Sequence, residues 1–173
     1  MTELYVHGYD PQEQARLISQ AMYWQNNIIL KGLELQPRDK LLELGCGVGA
    51  VLGILAQKFP GVSFAGIDIE PKQICQAQQY LQALPTLDGD NREIDLRVGD
   101  AASLPWPDNH FDYLYGIWFL EHVPLAQGQA ILKEAYRVLK PGGKIYLHEA
   151  DLMTFLTIPN PMIIFVFNGV YGL

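Results

Sequence analysis

The sequence has few cysteines, fewer basic than acidic residues and no apolar run long enough to cross a membrane. Cys46 and Cys75 are the only cysteines in 173 residues, and they form neither a CxxC pair nor a cysteine–histidine ligand spacing. A disulfide scaffold and the common zinc sites are therefore disfavoured, and no metal site is expected. The 12 Lys and Arg against 19 Asp and Glu give a formal net charge of −7, which argues against nucleic acid as a partner.

The two ends of the sequence are expected to contain neither an export signal nor a membrane span. The segment from Met1 to His7 lacks a basic stretch followed by an apolar run, so no signal peptide is expected. Near the other end, the apolar stretch from Met162 to Phe167 is too short to span a bilayer. These observations predict a cytoplasmic protein without a membrane partner.

Strand-like and helix-like segments alternate from residue 40 onward. Before them, Asp10, Pro11 and Glu13 predict a helix start, and apolar spacing continues that helix to a point before Gly32 or Pro37. The predicted strands cover 41–44, 62–68, 94–98, 111–115 and 144–148, and the predicted helices between them cover 48–59, 71–84 and 127–139. Such alternation predicts an α/β fold with a doubly wound, mostly parallel sheet and helices on both faces. We expect residues 1–37 to form a helical lid and residues 38–173 the core.

The loop after the first predicted strand is rich in glycine. Gly45, Gly47 and Gly49 would let the main chain turn tightly and approach a ligand closely. The helix that follows adds free amide groups, and parallel sheets bind ligands beyond the carboxyl ends of their strands. The loop is therefore a predicted ligand site. Its pattern also fits the dinucleotide fingerprint G-x-G-x-x-G/A, so the loop alone leaves a nicotinamide cofactor open.

Two acids near the loop narrow the choice of ligand. Asp68 ends the second predicted strand, where a carboxylate accepts hydrogen bonds from ribose hydroxyls in many nucleotides. Glu43 stands just before the loop, where a carboxylate is awkward beside a pyrophosphate and natural beside an ammonium or sulfonium. Asp100 and Ala101 follow the third strand and place an acid and a small residue where an adenine would lie.

In order and spacing, these segments resemble the class I, Rossmann-like S-adenosylmethionine-dependent methyltransferases, in their small-molecule, type 11-like branch. The matching segments are 41–49, 66–69, 98–101, 104–112, 120–123 and 137–143. The resemblance extends over residues 39–149. It implies a Rossmann-like fold, S-adenosylmethionine as cofactor, and methyl transfer to an oxygen, nitrogen or carbon atom of a small molecule. More loosely, the segment from His7 to Leu17 resembles the lid helices of such enzymes.

The resemblance also implies which residues contact the cofactor. At its methionine end it places the glycine loop, the acid before the loop and the end of the fourth strand, namely Gly45, Cys46, Gly47, Gly49, Glu43, Gly116 and Ile117. At its adenosine end it places the ribose-binding acid and the residues that contact adenine, namely Asp68, Ile69, Asp100 and Ala101.

Catalytic residues are harder to assign. Methyl transfer from a sulfonium needs alignment and exclusion of water, and it needs a general base only for a hydroxyl or a protonated amine. His122 and His7 are the candidate catalytic residues. The alternatives are that His122 packs or caps a turn, that His7 belongs to a frayed terminus, and that His148 is a satisfied core histidine.

The end of the chain departs from the family pattern. Members of the family continue after strand five with a helix and two antiparallel strands, and the residues up to Leu173 are too few for both. The antiparallel extension is therefore expected to be incomplete, and residues 161–167 would be an apolar stretch with few partners. Either the chain is truncated, or a second copy covers this edge as a homo-oligomer. A non-catalytic cofactor-binding module and, less favoured, a nicotinamide-dependent oxidoreductase are the alternative functions.

Overall fold

A computed structural model describes residues 11–85 and 94–149 and the main chain of residues 150 and 162–168. The helices are α1 (Pro11–Trp24), α2 (Ala50–Lys58), α3 (Pro71–Ala83) and α4 (Leu125–Val138), with a π-helical turn at Gln25–Ile29 and a 3-10 turn at Leu120–His122. The strands are β1 (Lys40–Leu44), β2 (Ser63–Asp68), β3 (Asp95–Val98), β4 (Phe111–Ile117), β5 (Leu139–Ala150) and β6 (Met162–Asn168).

The six strands form one sheet in the order β3-β2-β1-β4-β5-β6. Strands β1 to β5 are parallel, and β6 runs antiparallel to β5. In register, Leu44 of β1 lies between Ile67 of β2 and Gly116 of β4, so the segments after these strands emerge at one edge. Because the chain order reverses between β1 and β4, a crevice lies beyond their carboxyl ends. The predicted doubly wound, mostly parallel sheet is confirmed.

Each face of the sheet carries its own apolar core. Leu41 of β1 packs with Leu52 and Leu55 of α2 on the face that also meets the N-terminal segment. Leu42 packs on the other face with Ile131 of α4. Since side chains alternate along a strand, Glu43 points to the same face as Leu41, toward the N-terminal segment and α2.

The N-terminal segment is fastened to the sheet by hydrogen bonds as well as by packing. Ile28 and Ile29 of the π-helical turn are buried in the first core. Three tyrosine hydroxyls donate to main-chain carbonyls of this segment, namely Tyr115 to Ile29 O at 3.4 Å, Tyr146 to Gly32 O at 3.1 Å and Tyr113 to Glu34 O at 3.4 Å. One core therefore includes residues from both sides of the predicted division at residue 37, and the division into lid and core stays a prediction.

Some element boundaries differ from the sequence-based expectation. Helix α2 begins at Ala50 rather than at Val48, because Gly47 and Gly49 take left-handed φ angles of 50° and 74° that a helix does not accommodate. Strand β5 begins at Leu139 rather than at residue 144. The segment expected to separate α4 from β5 is part of the strand, with a register shift opposite residues 111–113.

The C-terminal apolar stretch pairs with the sheet. In β6, Met162 lies opposite Ala150 and Asn168 lies opposite Lys144. The expectation that this stretch has few partners is therefore wrong for its main chain, since an antiparallel ladder joins it to β5. Among the described residues, one antiparallel strand follows β5.

Candidate functional site

The glycine loop is a series of left-handed turns between β1 and α2. Gly45, Gly47 and Gly49 have φ angles of 66°, 50° and 74°, a region that residues with a Cβ atom rarely adopt. The space around them differs. A Cβ atom added at Gly47 would meet nothing within 4 Å, whereas one added at Gly45 would overlap the ring of Phe119. The loop is thus closely packed at Gly45 and open at Gly47.

Cys46 fills the space between the glycine loop and β2. It is buried, its amide donates to Ile67 O at 3.0 Å, and a Cβ atom added at Gly66 would lie 2.9 Å from its Sγ. Burial raises the pKa of the thiol well above its ordinary value, and the nearby acids Glu43 and Asp68 raise it further. The Cys46 amide bonds the loop to β2 and its small, neutral side chain packs against Gly66, which explains Cys46 without a chemical role.

Glu43 is a buried acid beside the loop. It is only 2% exposed, and its Oε2 atom has no hydrogen-bond partner. Burial raises the pKa of this carboxyl well above its ordinary value, the charge of Asp68 raises it further, and a hydrogen bond from the Leu52 amide opposes the shift. A buried carboxylate oxygen without a partner is costly, so this position fits a ligand that brings a cation or a hydrogen-bond donor.

Asp68 fixes the shape of the crevice at the end of β2. Its Oδ2 atom accepts the Gly47 amide at 2.9 Å and its Oδ1 atom accepts the Glu70 amide at 2.9 Å. Burial raises the pKa of Asp68, and these two amides oppose the shift. Each carboxylate oxygen keeps a further acceptor site. Asp68 therefore holds the glycine loop and still has capacity for two hydroxyl donors.

The adenine-side residues line the neighbouring strand ends. Ile69 is 71% exposed, so an apolar side chain faces solvent directly after Asp68. The end of β3 lies close by, since the Gly99 amide donates to Asp68 O at 2.9 Å. Asp100 is exposed and its Oδ1 accepts the Ala102 amide at 2.8 Å, while Ala101 is buried. An exposed apolar side chain and an acid at one edge suit a flat base that stacks and donates hydrogen bonds.

Strand β4 delivers Gly116 and Ile117 to the same edge. Gly116 pairs with Leu44 of β1, which places the end of β4 directly beside the glycine loop. The next residue, Trp118, has a left-handed φ of 50°. A bulky residue in this conformation is a strained position of the kind that clusters at functional sites.

The structure brings together the residues that the sequence predicts to bind the cofactor. The glycine loop, the acids and the end of β4 all lie at the carboxyl edge of β1 to β4, and they are Glu43, Gly45, Cys46, Gly47, Gly49, Asp68, Ile69, Asp100, Ala101, Gly116 and Ile117. A nucleoside with a cationic amino-acid end fits them, because the glycine loop comes just after Glu43 with its unpartnered oxygen and is bonded at Gly47 to Asp68.

Three of the four histidines were candidates for the site or for the core near it, and the structure places them differently. His122 lies in the 3-10 turn after β4 with 42% of its side chain exposed, and its Nε2 is 3.5 Å from Glu121 Oε1. His7 lies outside the described residues. His148 is fully buried, neither ring nitrogen has a hydrogen-bond partner, and burial lowers its pKa to about 4. His148 is thus a core histidine, but not the satisfied one that the sequence suggests.

Gln73 is a polar residue near the site that sequence patterns did not single out. It lies in the first turn of α3, fully buried, and neither polar atom of its side chain has a partner. Ala77 and Leu81 follow it at four-residue spacing, and both lie against Gly49 of the loop. That spacing marks a buried helix face, and a glutamine on such a face is the signal available in the sequence.

Comparison with known proteins identifies the family. A family model described as a methyltransferase domain matches residues 42–147. The chain belongs to this methyltransferase family. The matched residues run from β1 through β5 and include the glycine loop, Asp68 and the end of β4.

Relatives of known activity match most of this chain. The 27-O-demethylrifamycin SV methyltransferase of Amycolatopsis mediterranei is 32% identical over 155 residues, covering 90% of this chain and 52% of the relative. The demethylmenaquinone methyltransferase of Symbiobacterium thermophilum is 32% identical over 145 residues, covering 83% and 55%. A SAM-dependent methyltransferase of Methanosarcina mazei has a solved structure that matches with a TM-score of 0.64 and 34% identity, covering 70% of this chain and 57% of that one. This methyltransferase-family chain spans about half the length of the two curated relatives.

Across the described residues, no helix has both the length and the apolar character that spanning a membrane would need.

Proposed function

We propose that this chain is the cofactor-binding part of a small-molecule methyltransferase and that its crevice binds S-adenosylmethionine. The observation that carries the proposal is the buried Oε2 atom of Glu43, which has no hydrogen-bond partner among the described residues although it lies just before the glycine loop, at the carboxyl end of β1. An ammonium group beside it would stabilise the ionised acid by charge and hydrogen bonding. A diphosphate there would face a carboxylate of like charge, which disfavours a nicotinamide dinucleotide.

The second support comes from the adenosine side. Asp68 accepts one main-chain amide on each oxygen and has room for one donor more on each, which suits the two hydroxyls of a ribose. Ile69 offers an exposed apolar surface for one face of an adenine. Asp100 and the Ala101 amide would contact the edge of the base.

When bound, S-adenosylmethionine would supply a methyl group activated by its sulfonium. The chain would contribute orientation, since in-line displacement depends on the alignment of acceptor and methyl and on the exclusion of water. We further propose that the acceptor is a small molecule, as the names of the two curated relatives indicate for those proteins, and that nucleic acid is not a partner of a chain with net charge −7. His122 and His7 stay predictions as catalytic residues.

Titration calorimetry of the full chain with S-adenosylhomocysteine tests the proposal. Asp68→Ala should weaken binding roughly tenfold or more, because it removes the ribose acceptor and releases the Gly47 amide. Asp112→Asn is the matched control. Asp112 also accepts a distant amide, that of Lys40 at 2.9 Å, but it does so near the opposite end of the sheet, so the affinity should not change.

Two results would count against the proposal. The first is a full chain that does not bind S-adenosylhomocysteine. The second is binding of NAD in its place, which would favour the oxidoreductase alternative. Binding without turnover on any acceptor would support the non-catalytic alternative.

We propose in addition that this chain forms a homo-oligomer through its C-terminal strand. Among the described strands β6 forms one of the two edges of the sheet, opposite the edge formed by β3, and it is rich in apolar residues. An open edge of this kind tends to pair with another strand. Size-exclusion chromatography with light scattering would show a dimer or larger species, and a monomer at all concentrations would contradict the idea. A cytoplasmic location stays a prediction.

A further inference from the structure

The segment that follows β4 is held in place by the end of β5. The Trp118 amide donates to His148 O at 2.8 Å. The Leu120 amide donates to Glu149 Oε1 at 3.0 Å, and the Glu121 amide donates to Glu149 Oε2 at 3.2 Å. Two consecutive residues of β5 thus fix residues 118–121, which lie almost thirty positions earlier in the sequence.

Glu149 caps the 3-10 turn from β5, the strand next to β4. Both of its oxygens accept main-chain amides at the beginning of that turn, where the amides have no partner within the turn itself. Burial raises the pKa of Glu149, and the amides of Leu120 and Glu121 oppose the shift. The carboxylate therefore accepts hydrogen bonds from the main chain, although its position at the end of β5 also suits a general base.

Phe119 lies within the segment that Glu149 holds, and its ring touches both sides of the crevice. A Cβ atom added at Gly45 would overlap this ring, and one added at Gly116 would lie 3.8 Å from its Cδ1 atom. The ring therefore lies against the start of the glycine loop and the end of β4, on the face of the sheet that carries α4. The family resemblance places both of these main-chain stretches against the amino-acid end of the cofactor.

We propose that Glu149 is a positioning residue that, through Phe119, sets the shape of the subsite for the amino-acid end of the cofactor. The inference rests on the proposed function and goes beyond it by assigning a task to two residues outside the glycine loop. Glu149 fixes residues 119–121, the fixed main chain orients the Phe119 ring, and the ring supports the main chain at Gly45 and Gly116 from one face. Adenosine binding depends on Asp68 and the end of β3, which lie on the other side of the loop, and among the described residues no hydrogen bond joins them to Glu149 or to residues 118–121.

Two ligands separate this subsite from the rest of the crevice. S-adenosylhomocysteine carries the amino-acid end, whereas 5′-methylthioadenosine has the same adenosine and thioether without it. Titration calorimetry of the full chain should show that Glu149→Ala and Phe119→Ala each weaken S-adenosylhomocysteine binding roughly tenfold and change 5′-methylthioadenosine binding less than about twofold. Glu149→Gln keeps one acceptor oxygen and should give an intermediate loss. It also serves as the gentler variant if Glu149→Ala unfolds, which thermal melting of each variant would reveal.

Coupling between the two residues is the sharpest readout, because a general loss of stability would not produce it. If Glu149 acts through Phe119, the double variant should bind S-adenosylhomocysteine about as weakly as the weaker single variant. Asp68→Ala is the control that should weaken both ligands. Three results would overturn the inference and leave the proposed function intact. Glu149→Gln and Phe119→Ala could weaken both ligands equally, they could weaken neither ligand, or their losses could add in the double variant. A wild-type chain that binds neither ligand would overturn both.

Discussion

Replacing His148 by leucine should make the chain more stable and change how its stability depends on pH. The imidazole is fully buried on β5, and both nitrogens lack a hydrogen-bond partner. Its ring lies against Tyr115, with centroids 5.3 Å apart. Leucine has a similar volume and no polar atom, so the substitution removes two unsatisfied groups from the core. At pH 7 the free energy of unfolding should rise by about 1 kcal/mol.

The pH dependence follows from the protonation of the same ring. Burial lowers the pKa of His148 from 6.5 to about 4. As the pH falls, the unfolded chain takes up this proton first, so the stability that neutral His148 contributes is complete above pH 6.5 and is lost toward pH 4. Between pH 7 and pH 5 this loss amounts to about 2 kcal/mol. His148→Leu should not show that part of the decline.

Urea unfolding of the full chain at pH 7, 6 and 5 measures the difference between wild type and His148→Leu. Other titrating groups affect both chains alike and largely cancel in this difference. Tyr146→Phe is the matched control on the same strand and face. It removes the hydroxyl bond to Gly32 O at 3.1 Å, so stability should drop by about 1 kcal/mol equally at all three pH values. Parallel pH curves for wild type and His148→Leu would refute the reasoning.

Two further substitutions test the packing around the crevice. Gly45→Ala should lower the free energy of unfolding by about 2–4 kcal/mol, because it combines a left-handed φ of 66° with overlap on Phe119. Gly47→Ala should lower it by only about 1 kcal/mol, since its surroundings are open. Urea unfolding compares the two variants, and equal losses of stability would contradict the contact between Gly45 and Phe119. Arg137→Lys should lower the free energy of unfolding by about 2 kcal/mol, because the guanidinium donates to two carbonyls in the 104–106 loop at 2.9 Å and a lysine reaches only one of them at a time. Thermal unfolding measures the loss, and an unchanged melting temperature would show that the loop is held in another way.

Much of the fold follows from local patterns. Apolar runs bounded by glycine and proline predict the five parallel strands, because strands buried on both faces are short and apolar. The position of Glu43 and Asp68 at strand ends was equally readable, since parallel strands deliver their carboxyl ends to one edge. What the sequence did not show was that the main chain would occupy one acceptor site on each oxygen of Asp68.

The remaining features depend on contacts between distant parts of the chain. Glu149 caps a turn that begins 29 residues earlier, and no local pattern predicts such a partner. His148 was interpretable as a satisfied core residue until its surroundings were known, because hydrogen bonding depends on what the other strands present. The pairing of β6 with β5 likewise needs the register of two segments whose sequences share only apolar character.

The tyrosine hydroxyls that fasten the N-terminal segment bond to carbonyl groups rather than to side chains. Every amino acid supplies the same carbonyl, so these hydrogen bonds do not themselves select the side chains at positions 29, 32 and 34. Burial selects an apolar residue at Ile29 and the left-handed φ of 75° favours glycine at Gly32, which leaves the exposed positions of the segment free to vary. The exposed side chains of the segment can therefore change while its hydrogen bonds to the sheet are kept. A chimera that exchanges residues upstream of 35 between related chains should retain these three hydrogen bonds. The segment is therefore a suitable place to introduce a different specificity without altering the sheet.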